Sequence, residues 1–261
     1  PTLSLLTAVH PDRDEYLSDT AASVAATKTA AARIGWTVDW IVVFDGPTNR
    51  TPALPTADLV KVQPHHRGVS AARNVAHRYA TGDWVTPLDG DDVLDPNGIT
   101  SVLSTVTTGE GWIATNRLLM TGHRTRHWIS NPRHWAAGEL AEHWTAPMNC
   151  HPNSVIAERQ LVTHAGLWPE HLDVNEDLAW LLALSEHSPG RFDPTVTLHY
   201  RVWHRQVVAD PFYPERKGRA FHRIEHDINA IRERQARRPI RRPSAGGPYG
   251  TMTASGEESI E

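Results

Sequence analysis

The alternation of short apolar segments with helical segments between Thr2 and Val106 constrains the fold of this chain more than any other feature. The predicted strands are Thr2–Val9, Val38–Gly46, Ala57–Gln63 and Asp83–Asp89, and the predicted helices are Asp14–Arg33, Ser70–Ala80 and Asp95–Val106. Continuous apolar strands joined by helical crossovers are typical of a mostly parallel sheet with helices on both faces. The sequence therefore predicts a Rossmann-like α/β fold.

The second half of the chain is less regular. It predicts, in order, a strand at Gly111–Met120, a strand and short helix at Asn153–Gly166, a helix at Asn175–His187, a strand at Thr195–Trp203 and a helix at Pro214–Ala236. Seven of the tryptophans lie between Trp112 and Trp203. This asymmetry indicates two halves with different tasks within one continuous domain.

Charge and composition exclude several classes of protein. A net charge of −4 gives no general drive toward nucleic acid. The single cysteine, Cys150, leaves no internal disulfide. The longest clean apolar run, Leu178–Leu184, is far shorter than the roughly 20 residues of a membrane span, and no basic region precedes the first apolar stretch. We therefore expect a cytoplasmic protein without a transmembrane segment.

An acidic cluster follows the fourth predicted strand, in the stretch "WVTPLDGDDVL" from Trp84 to Leu94. Ligands of parallel α/β sheets bind beyond the carboxyl ends of the strands, so Asp89, Asp91 and Asp92 belong at the mouth of a crevice. Three neighbouring carboxylates repel one another unless a cation is present. Oxygen ligands suit Mg²⁺ or Mn²⁺, which usually also hold a substrate diphosphate. The alternative is an ordinary Asx-rich turn before a helix.

Four blocks of the N-terminal half give the cluster a context. They are "LSLLTAVHPDRDEYL", "IVVFDGPTN", "HHRGVSAARNVAHRYATGDWV" and "PLDGDDVLDP". In order and spacing they resemble the family 2 glycosyltransferases of the GT-A fold. The sequence departs from that pattern at Phe44, where the family usually has an acidic residue, and at His66, near a usual asparagine. The resemblance implies metal-dependent, inverting transfer of a sugar from a UDP, dTDP or GDP donor to the hydroxyl of a small-molecule or saccharide acceptor.

The resemblance also implies a donor site and its residues. The residues expected at the nucleotide-sugar are Thr7, Ala8, Val9, Asp12, Asp45, Arg73, Asp89 and Gly90. The first three would flank the nucleobase, Asp45 would accept its imide N–H, and Arg73 would face the base or the diphosphate. Asp89 would contact the ribose. Asp91, with Asp92, would hold the Mn²⁺ or Mg²⁺, and the alternative role of Asp92 is to brace the turn.

Inverting transfer needs a carboxylate that takes the proton of the acceptor hydroxyl. The family carries it in an E-D pair at a helix start, and "VNEDLAW" fits that pattern. A helix N-terminus favours a carboxylate. We expect Asp177 to be the base, with Glu176 as the fallback, and Asn175 to cap the helix. An acidic first turn, common in helices, is the plain alternative.

Histidine and tryptophan supply the remaining candidates. His204 in "LHYRVWHRQ" is expected to complete the metal site, with His199 as its competitor. His151 matches an H-P stretch on the acceptor side, and the resemblance implies a role in acceptor binding, with the shaping of a turn as the alternative. Tryptophan faces stack on sugar rings, so the acceptor-side candidates are Trp128, Trp135, Trp144 and above all Trp180, with core packing as the alternative.

The expected organisation is a donor-binding half at 1–108, an acceptor-binding and catalytic half at 109–209, a helix at 210–236 and an unstructured basic tail at 237–261. The sequence leaves the oligomeric state open. Two other functions compete with glycosyl transfer. A nucleotidyltransferase acting on sugar phosphates would need a Gly-rich loop after the first strand, which "TAVHPDRDEYL" lacks. The other is an inactive nucleotide-sugar-binding protein.

Overall fold

The protein is described by a computed structural model that covers residues 1–11, 14–48, 53–121, 124–127, 133–143, 154–202 and 211–241. Its strands are β1 Thr2–Val9, β2 Thr37–Phe44, β3 Leu59–Val62, β4 Trp84–Pro87, β5 Val93–Leu94, β6 Trp112–Thr121, β7 Arg124–His127, β8 Arg133–Trp135, β9 Val155–Glu158 and β10 Gly190–Arg201. Its helices are α1 Leu17–Ala32, α2 Val69–Tyr79, α3 Pro96–Leu103, α4 Glu139–Glu142, α5 Arg159–Ala165, α6 Glu176–His187 and α7 Tyr213–Arg234.

One mixed sheet organises these elements in the order β3-β2-β1-β4-β9-β6-β10-β5, with β7 on β6 and β8 on β10. The four N-terminal strands β3, β2, β1 and β4 are mutually parallel, as are β6 and β10, whereas β9 runs antiparallel between the two groups. Apolar residues alternate along β1, so Leu5 and Leu6 enter different core clusters. The cluster on one face includes α1 and α3, and the other includes α2, α5, α6 and α7. The predicted α/β fold is confirmed.

Two local predictions are wrong. Helix α2 begins at Val69 and not at Ser70, because Gly68 occupies the N-cap with φ of 95°, a positive value that glycine adopts without steric cost. Strand β10 begins at Gly190 and not at Thr195, and it continues through a register irregularity between Asp193 and Val196. Pro194 lies in that irregularity, where its missing N–H does not interrupt the ladder.

The C-terminal segment is more ordered than its composition predicts. Residues 237–241 fold back on α7, where Asn229 donates to the Ile240 carbonyl at 3.0 Å and accepts from its N–H at 2.7 Å. Arg232 is 1% exposed and lies 2.6 Å from the buried carboxylate of Glu186, which Arg237 also contacts at 2.7 Å. The prediction of a solvated basic tail is therefore wrong up to residue 241, because these arginines pair with a buried acid. Residues 242–261 lie outside the described ranges.

Removing the Glu186 carboxylate is expected to destabilise the protein strongly. Glu186→Ala removes the buried 2.6 Å partner of the Arg232 guanidinium and leaves it the exposed carboxylate of Glu142, 2.7 Å away. Breaking a buried pair in this way costs about 3–5 kcal/mol, measurable by urea unfolding. Glu215→Ala is the matched control, since both members of the Glu215–Arg219 pair are exposed and such pairs contribute about 0–1 kcal/mol. Equal losses in the two variants would contradict this account.

None of the helices within the described ranges combines the length and the hydrophobicity that crossing a membrane requires.

Candidate active site

The acidic turn after β4 is fixed by α1 and β1. The hydroxyl of Thr20 donates to the carbonyls of Gly90 at 3.0 Å and Asp92 at 2.8 Å. Gly90 is buried, and a Cβ at its position would come within 3.2 Å of the Val9 side chain. The sequence places a glycine here because the turn packs this closely against β1. The turn is thereby held at the carboxyl ends of the parallel strands.

Three carboxylates converge on this turn. Single oxygens of Asp89, Asp91 and Asp92 all lie within 4.8 Å of one another. Asp92 is fully buried; its Oδ1 accepts the Arg201 N–H at 2.8 Å, and its Oδ2 has no hydrogen-bond donor. Burial, and then the charges of Asp91 and Asp89, raise the pKa of Asp92 well above its usual range. A buried, unpartnered carboxylate oxygen beside two more carboxylates fits a hard divalent cation.

Two arginines from the second half of the sheet border the acidic turn. Arg201 of β10 donates from Nε to the Asp91 carbonyl at 2.8 Å, pairs with Asp19 at 2.8 Å and lies 4.1 Å from the centre of the Tyr16 ring. The positive charge of Arg117, on β6, acts to lower the pKa of both Asp92 and Asp177. Sequence reasoning missed both residues, because nothing in their neighbourhood in the chain signals a contact with a turn formed near residue 90.

Arg73 of α2 connects the acidic turn with the E-D pair. Its guanidinium is 2% exposed and donates to Asp89 at 2.6 Å and to Glu176 at 3.0 Å. Burial acts to lower the pKa of Arg73. The negative charges of Asp89 and Glu176 outweigh this effect, so the pKa of Arg73 lies above its usual value. Arg73 therefore lies between the acidic turn and the E-D pair. Its contacts are with two protein carboxylates, which orient it as a bridge inside the site.

The E-D pair forms the first turn of α6. Burial and the neighbouring Asp177 raise the pKa of Glu176 to about 7, although Arg73 acts in the opposite direction. Burial also raises the pKa of Asp177, whose Oδ1 accepts its hydrogen bond from the Leu178 N–H at 2.7 Å. Carboxylates with raised pKa values are stronger bases near neutral pH. The pair therefore suits proton transfer better than an exposed acidic turn would.

Asp45 organises the loop between β3 and α2. Its carboxylate is 3% exposed and accepts from the N–H of Arg67 at 2.8 Å and of Gly68 at 2.9 Å. The Nδ1 of His66 lies 2.8 Å from Asp45 Oδ2. Phe44, where the family pattern has an acid, is buried in the core. Asp45 thus holds the start of α2 and with it the position of Arg73.

The end of β1 is tied to its neighbours on both sides. The Thr7 hydroxyl accepts from Trp40 Nε1 at 2.8 Å in the core, and the Val9 carbonyl accepts from the Asp45 N–H at 2.9 Å. Ala8 is partly exposed between them. Val9 therefore lies next to Asp45, at the strand end where the sequence predicted a nucleobase, whereas the Thr7 side chain is buried in the core.

Trp180 is not a surface for an acceptor. Its side chain is 1% exposed and stacks on Trp168 at a centroid distance of 4.6 Å, so the prediction of a sugar-stacking role is wrong and core packing explains the residue. The competitor ligand His199 lies 3.6 Å from Asp95 and is not a member of the three-aspartate cluster. Asp12, His151 and His204 lie outside the described residues. The same holds for Trp128 and Trp144.

Comparison with known proteins agrees with this geometry. The model of the family described as "Glycosyl transferase family 2" matches residues 13–160, more than half of the chain. The chain belongs to glycosyl transferase family 2. A curated relative, the succinoglycan biosynthesis protein ExoO of Rhizobium meliloti (strain 1021), is 32% identical over 101 residues, which cover 36% of this chain and 29% of that protein.

Solved structures show the fold of this family 2 chain. Crystal structures of S. aureus TarS 1-349 match 88% of the chain, with a TM-score of 0.62 and 14% identity for one, and 0.66 and 15% for its complex with UDP-GlcNAc. The similarity confirms the predicted GT-A fold. This chain spans under a third of the length of ExoO and about two thirds of that TarS fragment.

Proposed function

We propose that this family 2 protein is a metal-dependent, inverting glycosyltransferase that moves a sugar from a nucleoside-diphosphate donor to an acceptor hydroxyl. The observation that carries the proposal is the Arg73 bridge, which joins Asp89 of the acidic turn to Glu176 of the E-D pair through one buried guanidinium. The proposed donor site and the proposed base therefore lie on the two sides of one arginine side chain, close enough for both to contact it. Family membership and the order of the motifs support the same reaction.

Asp91 and Asp92 would hold the cation, and Asp89 the ribose. The buried Oδ2 of Asp92 supports this division, since it accepts no hydrogen bond within the described residues. A bound Mg²⁺ or Mn²⁺ supplies Lewis-acid stabilisation of the negative charge that develops on the diphosphate. His204 remains a proposed further ligand.

Asp177 would act as the base. Glu176 forms an ion pair with Arg73, and this pairing makes the Glu176 carboxylate a weaker proton acceptor. The Asp177 carboxylate accepts a hydrogen bond from the Leu178 N–H at 2.7 Å. The acceptor oxygen forms its bond to the anomeric carbon as its proton passes to Asp177, and the bond to the diphosphate breaks. A single displacement of this kind inverts the anomeric configuration.

The nucleobase would lie at the end of β1, flanked by Thr7, Ala8 and Val9. Asp45 would accept an imide N–H in addition to its two backbone bonds, which a carboxylate with about four acceptor sites permits. Uracil is the first candidate, because the solved structures of the similar protein TarS include complexes with UDP and UDP-GlcNAc. A saccharide acceptor is favoured, because the name of ExoO assigns that relative to succinoglycan biosynthesis. His151 remains a proposed acceptor contact.

Thermal denaturation with UDP, dTDP and GDP, each with Mn²⁺ or with a chelator, tests the donor site. Ligand at 100 times its Kd stabilises a fold by about 2.7 kcal/mol, which corresponds to roughly 5–10 °C for a domain of this size. We expect that shift for UDP with Mn²⁺ and little shift for Mn²⁺ alone. Equal stabilisation by UDP in the presence of the chelator would contradict the metal dependence. The absence of a shift with any of the three nucleotides would overturn the proposed function.

A further inference from the structure

The acidic turn runs directly into the short strand β5, and β5 is paired with β10. In this antiparallel pair Leu94 lies opposite Leu198, and Val93 lies opposite His199. Continuing the same register by two residues along each strand brings Arg201, the last residue of β10, opposite Asp91. The sheet therefore delivers an arginine to the acidic turn from 110 residues further along the chain.

Arg201 contacts two successive residues of the turn. Its Nε donates to the Asp91 carbonyl at 2.8 Å, and its backbone N–H donates to Asp92 Oδ1, also at 2.8 Å. The Oδ2 of Asp92 accepts no hydrogen bond within the described residues. One residue thereby fixes the backbone of one proposed metal ligand and leaves the second oxygen of the next ligand for a cation.

Thr20 of α1 restrains the same turn from the other side. Its hydroxyl donates to the carbonyls of Gly90 and Asp92. With the bond from Arg201 Nε, the three successive carbonyls of residues 90, 91 and 92 each accept a hydrogen bond from outside the turn. The Asp92 N–H closes the turn by donating to the Asp89 carbonyl at 3.1 Å. A turn bonded at every peptide has little freedom to reorient its carboxylates.

Two further contacts orient the guanidinium of Arg201. It donates from Nη2 to Asp19 at 2.8 Å, and its central carbon lies 4.1 Å from the centre of the Tyr16 ring. Both partners lie at the start of α1, close in the chain to Thr20. Ion pairing and stacking on separate sides of one planar group suit an arginine. The position of Nε at the Asp91 carbonyl is therefore defined by α1 as well as by β10.

We propose that Arg201 is a positioning residue for the cation site, which fixes the peptide between Asp91 and Asp92 and so keeps their carboxylates converged. This role rests on the proposed function, because it requires a metal-dependent donor site. Arg201 lies outside residues 13–160, the part of the chain matched by the family model. The second half of the sheet thereby becomes part of the framework of the donor site.

The sign of the effect separates positioning from charge. A guanidinium beside the turn repels a divalent cation, so a residue that acted through its charge alone would weaken cation binding. Removing such a residue would strengthen the binding. A positioning residue has the opposite effect, because its removal lets the carboxylates move apart.

Arg201→Met tests this difference. Methionine keeps an apolar stem beside Tyr16 and removes both the donor and the charge. We expect the factor by which Mn²⁺ strengthens UDP binding to fall about tenfold, the effect of losing one charge-assisted hydrogen bond. The UDP affinity is measured by calorimetry with Mn²⁺ and by ligand-observed NMR in a chelator, where it should be unchanged. An unaltered or larger factor would overturn the positioning role, and so would equal losses in both conditions, which would indicate direct contact with the diphosphate.

Arg201→Lys retains the charge without the planar group. One ammonium does not replace a guanidinium that bonds the Asp91 carbonyl and Asp19 at the same time. The lysine should therefore recover little of the lost metal dependence, and full recovery would contradict positioning. Arg219→Met is the matched control, since it makes the same change in an exposed pair with Glu215 on α7, and it should leave the factor as in the wild type.

Hydrogen exchange of the metal-free protein reports on the turn independently of any nucleotide. The buried Asp92 amide is expected to exchange faster in Arg201→Met than in the wild type, whereas the amides of the central strand β2 should not change. Unchanged exchange at Asp92, or equal acceleration in β2, would overturn the positioning role. If the Asp92 amide is accelerated but Mn²⁺ has no effect on UDP binding in the wild type, the restraint on the turn stands and the proposed function fails.

Discussion

Replacing Asp177 with asparagine is expected to lower kcat by roughly 10²–10⁴-fold, the contribution of a positioned general base, while leaving nucleotide affinity unchanged. Asparagine has the same shape and keeps an oxygen that accepts from the Leu178 N–H, but it takes up no proton from an acceptor hydroxyl. The acidic turn and the end of β1 are untouched by the substitution. Nucleoside-diphosphate release measures turnover, and calorimetry with UDP and Mn²⁺ measures binding.

Glu176→Gln is the control for this assignment. The glutamine retains an oxygen for Arg73, at the position now 3.0 Å from the guanidinium, and loses only the charge. We expect a smaller reduction in kcat than for Asp177→Asn. Near-normal turnover in Asp177→Asn together with an inactive Glu176→Gln would transfer the role of base to Glu176.

The pH dependence of turnover follows from the raised pKa values of the E-D pair. A base acts only when deprotonated, so activity is lost as the pH falls through the pKa of the folded pair. Burial raises the pKa of Asp177, and that of Glu176 to about 7, so the acid limb should lie above the value of about 3.9 for an ordinary aspartate. We expect the kcat–pH profile of the wild type to show this limb and that of Asp177→Asn to lack it.

The N-terminal half of the fold was predictable because its signals are local. Strands β1 to β4 are short apolar runs that end at polar residues, and parallel connections bring those ends to one edge of the sheet. The placement of Asp89, Asp91 and Asp92 beyond β4 follows directly from that rule. The order of strands in the second half has no comparable signal, since β9 inserts antiparallel between β4 and β6.

The contacts that complete the site depend on pairs distant in the chain. Arg201 reaches the acidic turn from 109 residues away, and Arg73 reaches Glu176 from 103 residues away. Nothing in the sequence around Arg73 indicates which carboxylates it bridges. Trp180 shows the converse problem. A tryptophan about one turn from the E-D pair has the same sequence whether its ring faces a sugar or, as here, packs on Trp168.

Replacing Asp91 with alanine is expected to reduce turnover by about 10³-fold or more, since a metal ion contributes several kcal/mol of charge stabilisation to such a reaction. Unlike Asp177→Asn, this variant should also bind UDP more weakly when Mn²⁺ is present. The difference arises because Asp91 is proposed to act on the diphosphate through the cation, whereas Asp177 acts on the acceptor. Calorimetry of UDP with and without Mn²⁺ separates the two effects.

The same substitution is expected to raise the stability of the metal-free protein. The charge of Asp91 is one of the two that raise the pKa of the buried Asp92, so its removal relieves repulsion within the cluster. An increase of about 1 kcal/mol corresponds to a melting temperature roughly 2–4 °C higher in a chelator. Asp83→Ala, at an exposed aspartate just before β4 that accepts the Thr2 N–H at 3.1 Å, should leave activity unchanged and should not raise this temperature. If Asp91→Ala instead lowers the melting temperature and leaves Mn²⁺-dependent UDP binding intact, the cluster is a structural turn and the cation site lies elsewhere.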